Sequence, residues 1–192
     1  MSRSASPRPR PSREELAAAV GACVPDVLAP GLDVVFCGIN PGLYSGAVGH
    51  HFARPGNRFW PVLHRSGFTE REWLPEEDLH LPTVGLGITN IVDRVSARAD
   101  ELSRAELRAG AAALADKLDA LAPAVVAVLG IGAYNAAFGA HAAIGEQPER
   151  LGPARLWVLP NPSGLQARYQ LPELAEIFSA LRAAARPAAG SR

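Results

Sequence analysis

Two asparagines are candidates for chemistry, because each lies in a loop rich in glycine and proline that follows an apolar run. Asn40 belongs to Gly38–Gly42, and Asn161 opens the segment Asn161–Leu165. A carboxamide offers a hydrogen-bond donor and an acceptor, but it is not a strong base. Such a side chain can orient a water molecule for attack on a bond with a good leaving group. Asn also favours turns, so a purely structural role for Asn40 is the alternative.

The apolar runs before the two loops predict the strands that must position them. Residues Asp33–Cys37 and Arg155–Pro160 have the composition of buried strands. Open α/β sheets bind their ligands outside the carboxyl ends of their strands. The glycines of Gly38–Gly42 permit a close approach of the backbone to a ligand. We therefore predict that the two loops form two arms of one cleft.

The rest of the chain alternates between predicted helices and strands. Ser12 and Ser103 each begin a capping box, which predicts helices through about Ala22 and Leu121. The continuous apolar run Ala124–Leu129 is typical of a parallel strand covered on both faces. The other predicted elements are a helix at Asn57–Arg65, a strand within Gly85–Val92, a helix at Gly130–Phe138, a loop over residues 139–154 and a helix near Leu171–Ala184. The predicted fold class is α/β, a three-layer α/β/α sandwich with a central, mainly parallel sheet.

Length and composition predict one globular domain. The chain has 192 residues, of which 48% are hydrophobic, enough for a sizeable core. We predict a disordered basic tail over residues 1–11, a single domain over 12–186 and a flexible C-terminus over 187–192. The arginines of the tail could follow phosphates or simply increase solubility. The net charge of zero argues against a protein that coats nucleic acid, but it permits a local basic face.

Cysteine and histidine usage argues against metal chemistry. The two cysteines, Cys23 and Cys37, exclude a disulfide framework and a four-cysteine metal site. His50 and His51 are adjacent, but no carboxylate lies at metal-ligand spacing from them, so we predict no metal. No apolar run reaches about 18 residues, and the N-terminus has no signal-peptide core. We expect a cytoplasmic monomer without a membrane partner.

Three further features each allow two interpretations. Gly130–Asn135 resembles half of a dinucleotide-binding turn but lacks its last small residue, so tight packing of strand and helix is the preferred explanation. Asp93 could pair with Arg94 or Arg98, or it could act on a water molecule. Leu165 follows Pro-Ser-Gly and could anchor the loop to the core or form an exposed apolar wedge.

Four collinear motifs resemble the mismatch-specific uracil-DNA glycosylase / thymine-DNA glycosylase family. They are Val34–Leu43, Gly49–Trp60, Thr89–Arg94 and Val158–Leu165. The resemblance covers roughly residues 28–182, and the first and last motifs together are highly specific. Around His50-His51 and Asn90 the chain is closer to the thymine-DNA glycosylase branch, and Tyr44 replaces a smaller or more flexible residue.

The resemblance implies a DNA-repair enzyme with the uracil-DNA glycosylase fold and no cofactor. The implied partner is double-stranded DNA with a uracil mismatch. Uracil opposite guanine would be flipped out and its N-glycosidic bond hydrolysed, leaving an abasic site; thymine and ethenocytosine are further candidate bases. The implied catalytic residues are Asn40, which would position the attacking water, and Asp93. The implied base-binding residues are Ile39, Gly42, Ser45, Phe52 and Asn90, and the implied DNA-binding residues are Asn161, Ser163, Gly164, Leu165, Gln166 and Arg168.

The implied roles agree with the chemistry of the residues. Phe52 would lie beneath the flipped base, Leu165 would fill the vacated space, and the Gly164 backbone would meet the unpaired guanine. Backbone N–H groups of Gly38–Gly42 could stabilise negative charge on the departing base. Two other functions stay open, namely a nucleotide-binding α/β module that uses the Gly130–Asn135 turn and a mismatch-binding protein without catalysis. Release of a base from duplex DNA would distinguish the enzyme from both.

Overall fold

A computed structural model describes residues 10–139, 141–166 and 168–185. Most of the tail predicted over residues 1–11, and the C-terminal segment predicted over 187–192, lie outside the described residues. The α-helices are α1 (Arg13–Ala18), α2 (Leu43–Val48), α3 (Phe59–Arg65), α4 (Arg104–Asp119), α5 (Ile131–Phe138) and α6 (Leu171–Ala185). The strands are β1 (Val34–Gly38), β2 (Leu86–Asn90), β3 (Val125–Leu129), β4 (Gly145–Leu151) and β5 (Ala154–Leu159). Two 3₁₀ helices span Pro75–Val84 and Ala99–Glu101.

The strands form a single five-stranded sheet in the order β2-β1-β3-β5-β4. The pairs β1–β2, β1–β3 and β3–β5 are parallel, whereas β4 runs antiparallel to β5. The chain leaves β1 for β2 on one side and later returns to place β3 on the other side. The carboxyl ends of β1 and β3 therefore flank a topological switch point, where open α/β sheets bind their ligands.

Helices cover both faces of the sheet, which confirms the predicted three-layer sandwich. Val34 and Phe36 of β1 pack in a cluster with side chains of α3 and α6. Val35 and Cys37 pack in a second cluster with side chains of α4 and α5. All five residues of β1 are buried. This two-sided burial explains why the strands appear in the sequence as continuous apolar runs rather than as alternating patterns.

Both predicted capping boxes are present at the starts of α1 and α4. In α4, the Ser103 Oγ accepts from the Glu106 N–H at 3.1 Å, and the Glu106 carboxylate accepts from the Ser103 N–H at 2.9 Å. Helix α1 ends at Ala18, whereas the sequence predicts a helix through about Ala22. The chain turns away at Gly21, where φ is +77° and the N–H donates to the Val95 carbonyl at 3.0 Å. A tertiary contact therefore ends this helix.

The predicted loop over residues 139–154 is wrong in part, because it contains the strand β4. This edge strand is mostly exposed and polar, so it lacks the apolar run by which the other strands were recognised. The helix α2 and the 3₁₀ helix Pro75–Val84 were also missed. Within the described residues, no helix has the length and apolar character that a membrane span needs.

Candidate active site

A cavity of about 630 Å³ opens beyond the carboxyl edge of the sheet. Residues at or just after the carboxyl ends of four strands line it: Ile39 follows β1, Asn90 ends β2, Leu129 ends β3 and Asn161 follows β5. The two predicted arms of a cleft, the Asn40 loop (residues 38–42) and the Leu165 loop (residues 161–166), both contribute to this one cavity. The switch-point topology therefore brings together residues that are more than 120 positions apart in the chain.

The side chain of Asn40 is held in one orientation. Its Nδ2 donates to the Arg94 carbonyl at 3.1 Å, to the Ser96 Oγ at 2.8 Å and to the Pro41 carbonyl at 3.2 Å. A carbonyl can only accept, so the nitrogen must be the atom that faces these groups. The Ser96 hydroxyl accepts from Asn40 because it donates its own proton to the Arg98 carbonyl at 2.7 Å. The Asn40 Oδ1 is left as a fixed acceptor beside the cavity.

The segment Ile91–Ser96, here called the latch segment, holds the backbone of the Asn40 loop. The N–H groups of Ile91, Val92 and Ser96 donate to the carbonyls of Gly38, Ile39 and Pro41 at 2.9, 3.0 and 3.2 Å. These bonds turn three carbonyl oxygens toward the latch segment rather than toward a ligand. Because the carbonyl ends of these peptide dipoles are occupied, an electron-rich ligand in the cavity is not repelled by them.

Phe52 and Asn90 lie against Gly38 and line one part of the cavity. The Phe52 ring stacks on Phe59 with a centroid separation of 4.0 Å and an interplanar angle of 24°. Phe52 has φ of +53°, a left-handed backbone conformation that is costly for a residue with a side chain. A Cβ at position 38 would lie 2.5 Å from the Asn90 Oδ1 and 3.5 Å from the Phe52 ring. Glycine at position 38 therefore leaves room for the Asn90 side chain, whereas the Phe52 ring lies at an ordinary contact distance.

The polar side chains of Asn90 and Ser45 complete this region. Asn90 is only 4% exposed, yet within the described residues its amide has no hydrogen-bond partner. The Ser45 Oγ accepts from the Ala53 N–H at 3.1 Å, so its own proton remains available for donation. Because Asn90 lines the cavity, a ligand bound there can supply hydrogen bonds to its amide. The cavity thus offers both donors and acceptors next to an aromatic face.

His51 does not supply an acid. Burial lowers the pKa of His51, so its imidazole is neutral at pH 7. Its Nε2 lies 2.9 Å from the Pro25 carbonyl and must carry the proton, because the carbonyl can only accept. Asp78, itself 2% exposed, fixes both histidines through the His50 Nδ1 and the His51 N–H, each at 3.1 Å. His51 lines the cavity as a neutral, immobile ring.

The Leu165 loop forms the rim of the cavity and carries an exposed apolar side chain. Leu165 is 77% exposed, which excludes the alternative that it anchors the loop to the core. Two side chains shape the turn behind it: the Asn161 Oδ1 accepts from the Ser163 N–H at 2.9 Å, and the Ser163 Oγ accepts from the Leu165 N–H at 3.3 Å. The geometry is that of an apolar tip on a hydrogen-bonded turn.

The Gly130–Asn135 turn needs glycine for its backbone conformation rather than for close packing. A Cβ at Gly130 would make ordinary van der Waals contacts with Ile39 and Asn161 at 3.6 and 3.8 Å, so the space there would admit a side chain. Gly130 has φ of +125°, however, which few other residues adopt. Asn135 is bound within its own neighbourhood, because its Oδ1 accepts from the Ala142 N–H at 2.9 Å. In the part of the chain that the structure describes, no group of three His, Cys, Asp or Glu side chains forms a metal site.

Comparison with protein families assigns this architecture. A family model described as the uracil DNA glycosylase superfamily matches residues 25–183, which is most of the chain and includes every cavity loop. The chain belongs to the uracil DNA glycosylase superfamily. The protein is thus a DNA glycosylase, an enzyme that hydrolyses N-glycosyl bonds in DNA that contains uracil. The cavity at the switch point of the sheet is its candidate active site.

Most of the residues predicted for this glycosylase site meet in the cavity. Those that line it are Ile39, Asn40, Gly42, Ser45, Phe52, Asn90, Asn161, Ser163 and Leu165. Gly164, Gln166 and Arg168 do not line it, although the first two belong to the Leu165 loop. Arg168 is exposed, with its guanidinium 5.4 Å from the centre of the Tyr169 ring.

Asp93 lies outside the cavity lining, although we predicted it as a second catalytic residue. Its carboxylate is 59% exposed and lies 3.7 Å from the Lys117 Nζ. The alternative prediction, an ion pair of Asp93 with Arg94 or Arg98, is also wrong, because Arg94 pairs with Glu106 and Arg98 pairs with Asp100. Asp93 belongs to the latch segment. The backbone of this segment contacts the Asn40 loop, but the Asp93 side chain does not.

Sequence reasoning missed several residues that shape the glycosylase site. Ser96, His51 and Asn57 all line the cavity, and Arg58 binds the Leu165 loop from below. Ser96 gives no signal in the sequence, because its role depends on where the latch segment passes. Arg58 lies in a motif that we had noted, but the motif does not reveal which groups its guanidinium binds.

Proposed function

We propose that this glycosylase removes uracil from G·U mismatches in duplex DNA. The supporting observation is that Asn40, whose Nδ2 is tethered, shares one cavity with the exposed Leu165. The first side chain offers chemistry and the second offers a means to open the duplex. A cavity that served a free nucleotide would need no exposed apolar tip at its rim.

In the proposed mechanism, Asn40 acts on the water molecule. The Asn40 Oδ1 accepts a hydrogen bond from water and directs its oxygen toward C1′ of the deoxyribose. The C1′–N1 bond breaks with both electrons leaving on uracil, the water oxygen bonds to C1′, and the water proton passes to solvent. A neutral amide cannot remove that proton in advance, so the enzyme depends on the departing base being a good leaving group.

The base is held by stacking and by hydrogen bonds. Uracil would stack on Phe52, which is itself supported by Phe59 at 4.0 Å. Aromatic stacking is typically worth about 1–3 kcal/mol per base. The Asn90 amide and the Ser45 hydroxyl can bind the polar edge of the pyrimidine, and the neutral His51 adds no positive charge that would attract other anions. Asp93 has no role in this scheme.

Mismatch preference follows from the energy of opening the duplex. An enzyme that acts on a base must take it out of the stack, and this costs least for a mispaired base. Leu165, which is 77% exposed on its turn, would fill the space that the base vacates. The guanine left behind would meet the backbone of the Leu165 loop at Gly164. A U·A pair would be opened less often by the same wedge.

The test is alkali-dependent cleavage of labelled oligonucleotides under single turnover with enzyme in excess. The substrates are U opposite G, U opposite A, T opposite G and single-stranded U, all in the presence of a chelator. We expect cleavage at U, and in duplex DNA we expect it to be faster for U opposite G than for U opposite A. Absence of alkali-labile sites in all four would overturn the proposal, and tight binding of G·U without cleavage would favour the mismatch-binding protein. Asn40→Ala is the negative control.

A further inference from the structure

Arg58 makes an unusual set of contacts for an arginine at the edge of a DNA-enzyme cavity. It is partly buried, and among the described residues its guanidinium binds only backbone carbonyls of the segment after β5. Nη2 donates to the carbonyls of Ser163 and Gln166 at 2.6 and 2.7 Å, and Nε donates to that of Pro162 at 3.3 Å. Nη1 donates to the Tyr169 carbonyl in a short bond. The Arg58 backbone N–H also donates to Pro162 at 3.0 Å.

These contacts enclose the turn that carries Leu165. Ser163 and Gln166 stand on either side of Gly164-Leu165, so one nitrogen of Arg58 ties both ends of the turn together. The loop also packs directly on the segment before Arg58, since a Cβ at Gly164 would lie 2.5 Å from the Gly56 carbonyl oxygen. Within the described residues Arg58 has no acidic partner, which leaves its full charge to these carbonyls. Charge-assisted hydrogen bonds of this kind are stronger than neutral ones.

The same dipeptide reaches the aromatic side of the cavity. Arg58 immediately precedes Phe59, the first residue of α3, and Phe59 stacks on Phe52. The main chain of two residues therefore joins the support of Leu165 to the support of Phe52.

We propose that Arg58 is a positioning residue that pre-organises the Leu165 loop, so that wedge insertion and seating of the base on Phe52 occur together. The proposal rests on the proposed uracil excision. Arg58 need not touch DNA, since four of its five N–H donors are already bound to carbonyls. A lysine cannot replace it, because an ammonium is a compact point charge and cannot span several carbonyls as the guanidinium fork does. A misplacement of about 1 Å can cost about 10²-fold in rate.

The experiment is a double-mutant cycle on uracil excision with Arg58→Ala, Leu165→Ala and the double variant. Each is assayed under single turnover on U·A, G·U and single-stranded U, at protein concentrations corrected for folded fraction. We expect Arg58→Ala to lose between about tenfold and about 10²-fold on U·A, less on G·U and little on single-stranded U. In the double variant the loss of rate should scarcely exceed that of Leu165→Ala alone, because the positioning of the loop by Arg58 has no effect once the Leu165 side chain is removed. Additive losses in the cycle would overturn the proposal.

Three controls separate positioning from charge and from folding. Arg58→Lys keeps the charge, and it should retain most of the defect; full activity in this variant would mean that Arg58 merely attracts DNA. Arg65→Ala removes an exposed arginine from α3, the helix that Arg58 precedes, and should match wild type. Amide hydrogen exchange in DNA-free protein should increase over 161–166 in Arg58→Ala but not over 38–46. Unchanged exchange over 161–166 in Arg58→Ala would overturn the proposal that Arg58 holds the Leu165 loop. If exchange increased in the variant but the wild-type enzyme excised no uracil, only the proposed function would be wrong.

Discussion

The Asn40 loop and the Leu165 loop face the same cavity but are held in different ways. The Asn40 loop is fixed by three backbone hydrogen bonds from the latch segment and by the bonds of Asn40 to Arg94 and Ser96. The Leu165 loop is held from outside mainly by one residue, Arg58, through its guanidinium and its backbone N–H. Its tip, unlike Asn40, is largely exposed.

The difference matches what each loop is proposed to do. A side chain that orients water must be placed before the substrate arrives, because reorganisation during the reaction would raise the barrier. A wedge must enter a duplex whose shape changes as the base leaves, and so it needs a defined turn with a free tip. Damage to the first loop should therefore affect the chemical step, and damage to the second should affect capture of the base.

Loss of the Asn40 amide should have the largest effect. Asn40→Ala should lower the single-turnover rate by about 10²–10⁴-fold, the range typical of groups that act on a proton or a water. Duplex binding and the far-UV circular dichroism spectrum should stay near wild type, since the backbone bonds of the loop remain. The measurement is single-turnover cleavage of G·U together with fluorescence anisotropy of the same duplex.

Two further variants test whether the tether of Asn40 matters. Ser96→Ala removes the acceptor at 2.8 Å but keeps the Ser96 N–H bond to Pro41, so its rate should fall between wild type and Asn40→Ala. Asn135→Ala is the matched control, because the side chain of this asparagine also binds the backbone of another segment, through the Ala142 N–H, but lies outside the cavity. If Asn40→Ala lost stability and activity in equal measure, its role would be structural.

Removal of the wedge should have a smaller effect, confined to duplex substrates. Inserted apolar side chains offset an unstacking cost of a few kcal/mol, so Leu165→Ala should weaken capture of U from U·A by about tenfold or more. The loss for G·U should be smaller, since a mismatch opens more easily. Rates are measured over a range of enzyme concentrations. The maximal rate should be nearly unchanged for G·U, and equal losses for duplex and single-stranded U would contradict the wedge.

The pH dependence of stability tests the buried side of the cavity. Burial lowers the pKa of His51 against about 6.5 in an unfolded chain, so the unfolded state takes up the proton more readily. This group should leave the free energy of unfolding unaffected above about pH 7 and lower it as the pH falls below about 6.5. Nearby Asp78 and Asp26 oppose the shift, and His50 adds to it. Urea denaturation at pH 7.5 and 5.5 measures the difference.

Two histidine variants isolate this contribution. His51→Gln keeps a donor toward the Pro25 carbonyl and should show a weaker loss of stability between pH 7.5 and 5.5 than wild type. His80→Gln changes an exposed histidine and should keep the wild-type pH dependence. Identical pH profiles for His51→Gln and wild type would assign the effect to other groups.

The smallest effect is expected at Asp93. Its carboxylate is 59% exposed and 3.7 Å from Lys117, so Asp93→Ala should cost about 0–1 kcal/mol of stability and leave the rate unchanged. Asp26→Ala is the comparison, because Asp26 is less exposed and lies 2.6 Å from the same Lys117. It should cost more stability without changing the rate. A tenfold loss of single-turnover rate in Asp93→Ala with normal binding would restore Asp93 as a catalytic residue.

The predictable parts of the molecule are those specified by local chemistry. Buried strands follow from apolar runs, and the helix starts at Ser12 and Ser103 follow from capping boxes. Asn40 and Leu165 were found because glycine and proline mark shaped loops. The strand β4 was missed because an exposed edge carries no apolar pattern. The carbonyl bonds of Arg58 and the latch segment were out of reach, since they depend on which distant loops meet.

The contact between Gly164 and Gly56 constrains how this enzyme can diverge. A methyl group at position 164 would meet a backbone oxygen at 2.5 Å, and a backbone oxygen cannot rotate aside as a side chain can. Mutations at Gly164 are therefore tolerated only where the chain at Gly56 has already moved. Descendants that acquire a different wedge loop should inherit a matching change in the segment before α3. New base preferences would then arise by paired replacement of two surface segments, while the sheet beneath them stays ancestral.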